Sequence, residues 1–131
     1  MAKPAAKQGD KVVAVDTHVV MVPSPSGAVP TPTPMPFNGV LNGDLSPDVL
    51  FEKLPAATVG STAANTPAHV PVGGPFQKPP SNQGKVQTGS ATVLINKKQA
   101  VGLGDPAMTC NDPADAPNGQ VVCAGTVLVG K

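Results

Sequence analysis

Residues 3–10 read KPAAKQGD, residues 54–61 read LPAATVGS and residues 98–105 read KQAVGLGD. Each segment is a basic or apolar residue, Pro or Gln, two small residues, two variable positions, Gly, then Asp or Ser. The first two copies match closely, and the third keeps Ala100, Val101, Gly104 and Asp105. A short unit that returns along a chain marks a fold assembled from like supersecondary pieces. Small residues let backbones approach closely, and Gly followed by Asp or Ser makes a turn whose side chain bonds its own backbone. The three segments therefore predict one domain with a threefold internal repeat.

Working outward, residues 88–96 (TGSATVLIN) and 124–130 (AGTVLVG) each place a small-residue turn before a β-rich run. Residues 12–15 and 19–22 add two further β-branched runs. Asn42-Gly43 and Asn118-Gly119 are tight-turn dipeptides of the hairpin kind. Many short strands punctuated by turns predict a mainly β fold. Only residues 46–54 (SPDVLFEKL) predict a helix, with Ser46 as N-cap, Pro47 at the first helical position, Asp48 at the positive end and Pro55 as the stop. Residues 22–37 carry Pro at 23, 25, 30, 32, 34 and 36, which predicts a stiff, polyproline-like surface loop; residues 73–84 predict a second.

Composition narrows the possibilities. A chain of 131 residues has room for one domain spanning 1–131. With three Phe, no Trp and no Tyr, its core must be built from Val, Ala, Leu and Ile, so something besides core size must hold it. All nine basic residues are Lys and the net charge is only +1, which argues against nucleic acid as a partner. The opening residues hold no apolar run of signal-peptide length, and no stretch reaches the roughly 18 apolar residues of a spanning helix. Synthesis in the cytoplasm without a secretion signal is the expectation. In that compartment two Cys favour a metal site or free thiols over a disulfide.

The chain has two His and two Cys, and their positions follow the repeat. His18 stands eight residues after Asp10, His69 eight after Ser61, and Cys110 five after Asp105. Cys123, before the last β-run, is available as a fourth ligand. His18, His69, Cys110 and Cys123 together form a closed tetrahedral set suited to one structural Zn2+ per chain. The competing readings are a Cys110–Cys123 disulfide, hydrogen-bonded histidines, and Cys123 as a small buried hydrophobe. No nucleophile elbow, phosphate loop or HExxH motif is present, and a four-ligand site leaves no open position, so an enzyme is not expected.

The segments KPAAKQGD, LPAATVGS and KQAVGLGD, with the GSATVLIN and GTVLVG runs, resemble the PAAR-repeat and PAAR-like proteins that cap the spikes of contractile injection systems, such as type VI secretion or phage-tail-like particles. The resemblance runs from Lys3 to Gly130. The sequence departs from the family pattern in having Lys7, Thr58 and Gly102 where the repeat carries Arg, and Gln99 where the third copy would have Pro. The resemblance implies a small cone of short β-hairpins in pseudo-threefold arrangement, with zinc close to its point. It implies a blunt base seated, one copy per trimer, on a β-helical spike resembling a phage tail needle; since unpaired strand edges need cover, docking is expected at or near residues 93–95 and 127–129. The implied function is to sharpen that spike for puncture of a target membrane, touched transiently after assembly into the particle. Two alternatives stay open: a tip adaptor that carries or recruits an effector, and an unrelated small zinc-binding β module.

Overall fold

The computed structural model describes residues 3–112 and 114–130. The chain begins with β1 (Lys3–Pro4), β2 (Lys11–Val22) and β3 (Val29–Gly43). It continues through β4 (Leu50–Phe51), β5 (Leu54–Pro55), β6 (Thr62–Asn65) and β7 (Gln83–Val86). The remaining strands are β8 (Leu94–Ile95), β9 (Lys98–Gln99), β10 (Pro106–Thr109), β11 (Ala116–Val122) and β12 (Leu128–Val129). Among the described residues there is no helix, so the mainly β expectation holds.

Six strands close a barrel in the order β10-β11-β2-β3-β6-β7, every neighbour antiparallel. Closure leaves the barrel proper without a free edge. Along β2 the inward face reads Val12, Ala14, Asp16, His18 and Val20, because side chains alternate on a strand. Val12, Phe37, Leu41, Ala63, Val86, Ala107 and Val121 fill the interior. The Phe37 ring fits because Gly39 has no side chain: a Cβ there would stand 2.6 Å from Phe37 Cε1.

Three two-stranded ladders lie outside the barrel: β4-β5, β8-β9 and β1-β12. The segments quoted first connect these ladders to β2, β6 and β10. Their backbones join in a closed ring, with Ala6 N donating to Val101 O (2.8 Å), Val101 N to Ala57 O (3.3 Å) and Ala57 N to Ala6 O (3.0 Å). Lys7 N, Thr58 N and Gly102 N each donate to the side chain three residues on, at Asp10 (2.9 Å), Ser61 (2.9 Å) and Asp105 (2.8 Å). Between them Gly9, Gly60 and Gly104 have φ of 90°, 98° and 86°, a conformation costly for any other residue. Ala6, Ala57 and Val101 face the barrel core, while Ala5, Ala56 and Ala100 face a second small cluster with Ile95 and Val129.

Three local expectations are corrected. Residues 46–54 form no helix. Ser46 Oγ does accept the N–H groups of Asp48 (3.3 Å) and Val49 (3.0 Å), as an N-cap would. A helix this short has little stability of its own, and the hairpin packs Val49 and Phe51 onto the second cluster instead. The two-residue turns are Glu52-Lys53 and Asn96-Lys97, all with positive φ, as a type I′ hairpin requires. Asn42-Gly43 and Asn118-Gly119 lie inside β3 and β11, next to register shifts. Finally, most of the proline-rich stretch is strand: β3 pairs with β2 from Val29 onward. Prolines at every second residue all fall where the backbone N points away from β2, so no ladder bond is lost.

Candidate metal centre

β2, β6 and β10 leave the ring and run toward the same end of the barrel, where their continuations carry the chemistry. Asp16 and His18 sit two apart on β2 and share its inward face. His69 lies in the irregular segment after β6, and Cys110 directly follows β10. One ligand atom from each of Asp16, His18, His69 and Cys110 lies within 4.8 Å of the others.

The carboxylate of Asp16 is the hub. His69 Nε2 stands 2.9 Å from Oδ2, Cys110 Sγ donates to the same oxygen (3.4 Å), and Thr109 Oγ1 donates to Oδ1 (2.6 Å). Asp16 is fully buried, and a buried carboxylate is costly unless paired. Beside it, His18 is 1% exposed and neither ring nitrogen has a hydrogen-bond partner. An unsatisfied buried polar atom costs roughly 1–3 kcal/mol, so this ring lacks a partner that a cation would supply. His69 Nδ1 faces the Asn65 amide nitrogen at 3.3 Å, because Asn65 Oδ1 already accepts Asn38 N. Nδ1 then accepts and Nε2–H donates to Asp16. A cation bound through Nε2 would require the ring proton on Nδ1, where the Asn65 amide would have to turn its oxygen toward the ring, so metal uptake and the Asn65 contact would be coupled.

Burial, and then the Asp16 charge, pushes the Cys110 thiol up to about 11. Without a cation Cys110 is a thiol; a bound cation would favour the thiolate and release its proton. Two imidazoles, one thiolate and one carboxylate suit a borderline-soft ion that prefers four ligands, which describes Zn2+.

Of the four residues proposed from sequence, the structure brings His18, His69 and Cys110 together and leaves Cys123 elsewhere. Cys123 follows the far end of β11, whose Gln120 pairs with Pro106, whereas Cys110 follows Thr109, paired with Ala116. The two thiols thus sit at opposite ends of one hairpin, separated by the length of β10, about 13 Å at strand rise. Both are free, which also removes the disulfide reading. Cys123 Sγ donates to Pro4 O (3.3 Å) near the ring, and burial pushes its thiol up to about 11. Asp16 is the group's unanticipated member. Its signal was the i, i+2 spacing to His18, visible only once residues 11–22 are read as one strand.

Two cavities adjoin the centre. One of about 500 Å³ lies between β3 at Thr33–Met35 and the segment around Pro67, with His69 in its wall. The other, about 70 Å³, is bounded by His18, Cys110, Asp112 and Lys78. Comparison with family models, curated proteins and solved structures gave no match.

Proposed function

We propose that the chain is a metal-pinned structural tip that caps the trimeric central spike of a contractile injection system. The observation that carries the reading is the ring of three hydrogen bonds among residues 6, 57 and 101. It relates three like segments in a cycle, and a single chain with approximate threefold symmetry is suited to a partner made of three identical chains. On this reading the molecule is a small cone, its role is mechanical rather than catalytic, and it travels with the particle after synthesis in the cytoplasm.

Two further features support the reading. Leu50 opens β4, Leu94 opens β8 and Leu128 opens β12, one in each two-stranded ladder, with exposures of 56%, 63% and 58%. Three matched apolar side chains outside the ring form a base that a trimer could cover. Within the stretches expected near the docking surface, Leu94 and Leu128 are exposed, Val93 and Val127 pack partly buried against the second cluster, and Ile95 and Val129 are buried in it. At the other end, Asp16, His18, His69 and Cys110 bind Zn2+ and cross-link β2, the segment after β6 and the segment after β10. Such a cross-link stiffens a small point in which the His18 ring packs on His69 and Phe76, and His69 on Phe37.

The test is co-expression with the trimeric β-helical spike proteins of the same genome, with mass measurement of the complex. One chain per trimer is expected. Leu50→Asp, Leu94→Asp and Leu128→Asp combined should abolish capture while the variant keeps its metal. Capture by none of the spikes, or three copies per trimer, overturns the reading.

A further inference from the structure

A metal-bound imidazole needs two partners. One nitrogen gives its lone pair to the cation, and the other carries a proton that seeks an acceptor. For His69 the outer neighbour is the neutral amide of Asn65. For His18 a carboxylate stands near the second nitrogen: Asp112 Oδ2 is 3.6 Å from Nδ1, just short of a hydrogen bond.

Asp112 does not reach that place by chance of a loose loop. Its N–H donates to Thr17 O (2.9 Å), and its Oδ2 accepts the N–H of Val19 (2.8 Å). The residue is thus fastened to β2 on both sides of His18. Its side chain is 5% exposed, and the neighbouring Asn111 bonds Thr17 N and approaches Asp16.

We infer that Asp112 is the positioning carboxylate of the centre: it receives the Nδ1 proton of His18, fixes that tautomer, and turns Nε2 toward the metal. The inference rests on the metal-centre reading and adds to it a residue outside the ligand group. A carboxylate behind the ring makes His18 the more strongly donating of the two imidazoles, because the amide behind His69 carries no charge.

The test compares the full chain with Asp112→Asn and Asp112→Ala. Asp112→Asn keeps an oxygen for Val19 N and removes the charge; Asp112→Ala removes both. Zinc affinity, read by competition with a chromophoric chelator, should fall about 10- to 100-fold in each. The cobalt-substituted protein should show shifted ligand-field bands in both variants. In the zinc-loaded parent, NMR should show a slowly exchanging imidazole Nδ1 proton that Asp112→Ala loses. A residue that merely holds the loop would alter metal-free unfolding and leave the cobalt spectrum unchanged. Parent affinity and parent spectrum in Asp112→Asn overturn the inference while the metal centre stands. A parent chain that binds neither zinc nor cobalt overturns both.

Discussion

At the scale of single residues, the four-membered group and the outlying thiol make opposite predictions. Asp16→Asn keeps an acceptor for Thr109 but removes the charge at the hub of the site, so zinc per chain should drop from about one to a small fraction on elemental analysis. Cys123→Ala should leave zinc content unchanged. Equal metal loss in both would place Cys123 back among the ligands. The thiols also set a pH dependence. Both are raised to about 11 in the fold from 9.0, so between those values the native chain holds protons that the unfolded chain has released. The thiols' contribution to the stability of the metal-free protein should be complete below pH 9 and fall as pH rises toward 11, by roughly 2–3 kcal/mol per thiol. Denaturant titration at pH 8 and pH 10.5 measures this, and Cys123→Ala should shrink the difference. Three of the four clustered residues could be found from offsets alone, because each comes a short distance after a like segment. Asp16 was hidden because residues 12–15 and 19–22 read as two separate runs where one strand passes through. Cys123 was misplaced because a sequence carries no register, and the pairing of Gln120 with Pro106 is what sends it to the other end.

At the scale of elements, the long β2-β3 hairpin outruns its barrel neighbours. β11 reaches only Val13, and β6 only Gly39. Beyond them the outward donors of β2 are met one by one: Thr17 N by Asn111, Val19 N by Asp112, Met21 N by Pro75 O. The outward positions of β3 are Pro30, Pro32, Pro34 and Pro36, which have no donor to offer. A bare strand edge invites pairing with another chain, and proline is a standard way to blunt it. Replacing Pro30, Pro32 and Pro34 together by Thr should leave the β2-β3 pairing intact and produce concentration-dependent association on size-exclusion chromatography, where the parent should elute as a monomer. An unchanged elution volume at every concentration would refute this. The spacing that suggested a polyproline loop was thus the mark of an edge strand, on which every second backbone nitrogen faces outward. The cap at Ser46 was likewise real, but a cap begins a turn without dictating the conformation of the residues beyond it. Residues 49 and 51 were claimed by packing against the cluster of Ala5, Ala56, Ile95, Ala100 and Val129, which draws on distant parts of the chain.

At the scale of the whole molecule, the β class was legible because short β-branched runs and turn residues are local signals. Barrel closure was not, since strand order rests on pairings such as β7 with β10 that no local window contains. A metal held by Asp16, His18, His69 and Cys110 would tie together three such distant stretches. Apparent zinc free energies in small domains are on the order of 10 kcal/mol, comparable to the whole net stability of a typical domain. Chelation should therefore free the segment carrying His69, read as early proteolysis within residues 66–82 and restored by zinc. If cleavage there is unchanged by chelator, the cross-link does not hold that segment.

The ladder of β1 with β12 joins Lys3 to Val129 and Pro4 to Leu128. Of the three ladders it alone is made from strands at opposite extremes of the described chain. During synthesis β1 emerges well before β12, and it waits without that partner until residues 128–129 appear. The β1-β12 ladder therefore cannot form until residues 128–129 have left the ribosome. The same adjacency means that a short linker from residue 130 to residue 3, with new ends opened at the Asn96-Lys97 turn, should give a permuted chain with the same fold. In that permutant the ladder that closes last would be β8-β9.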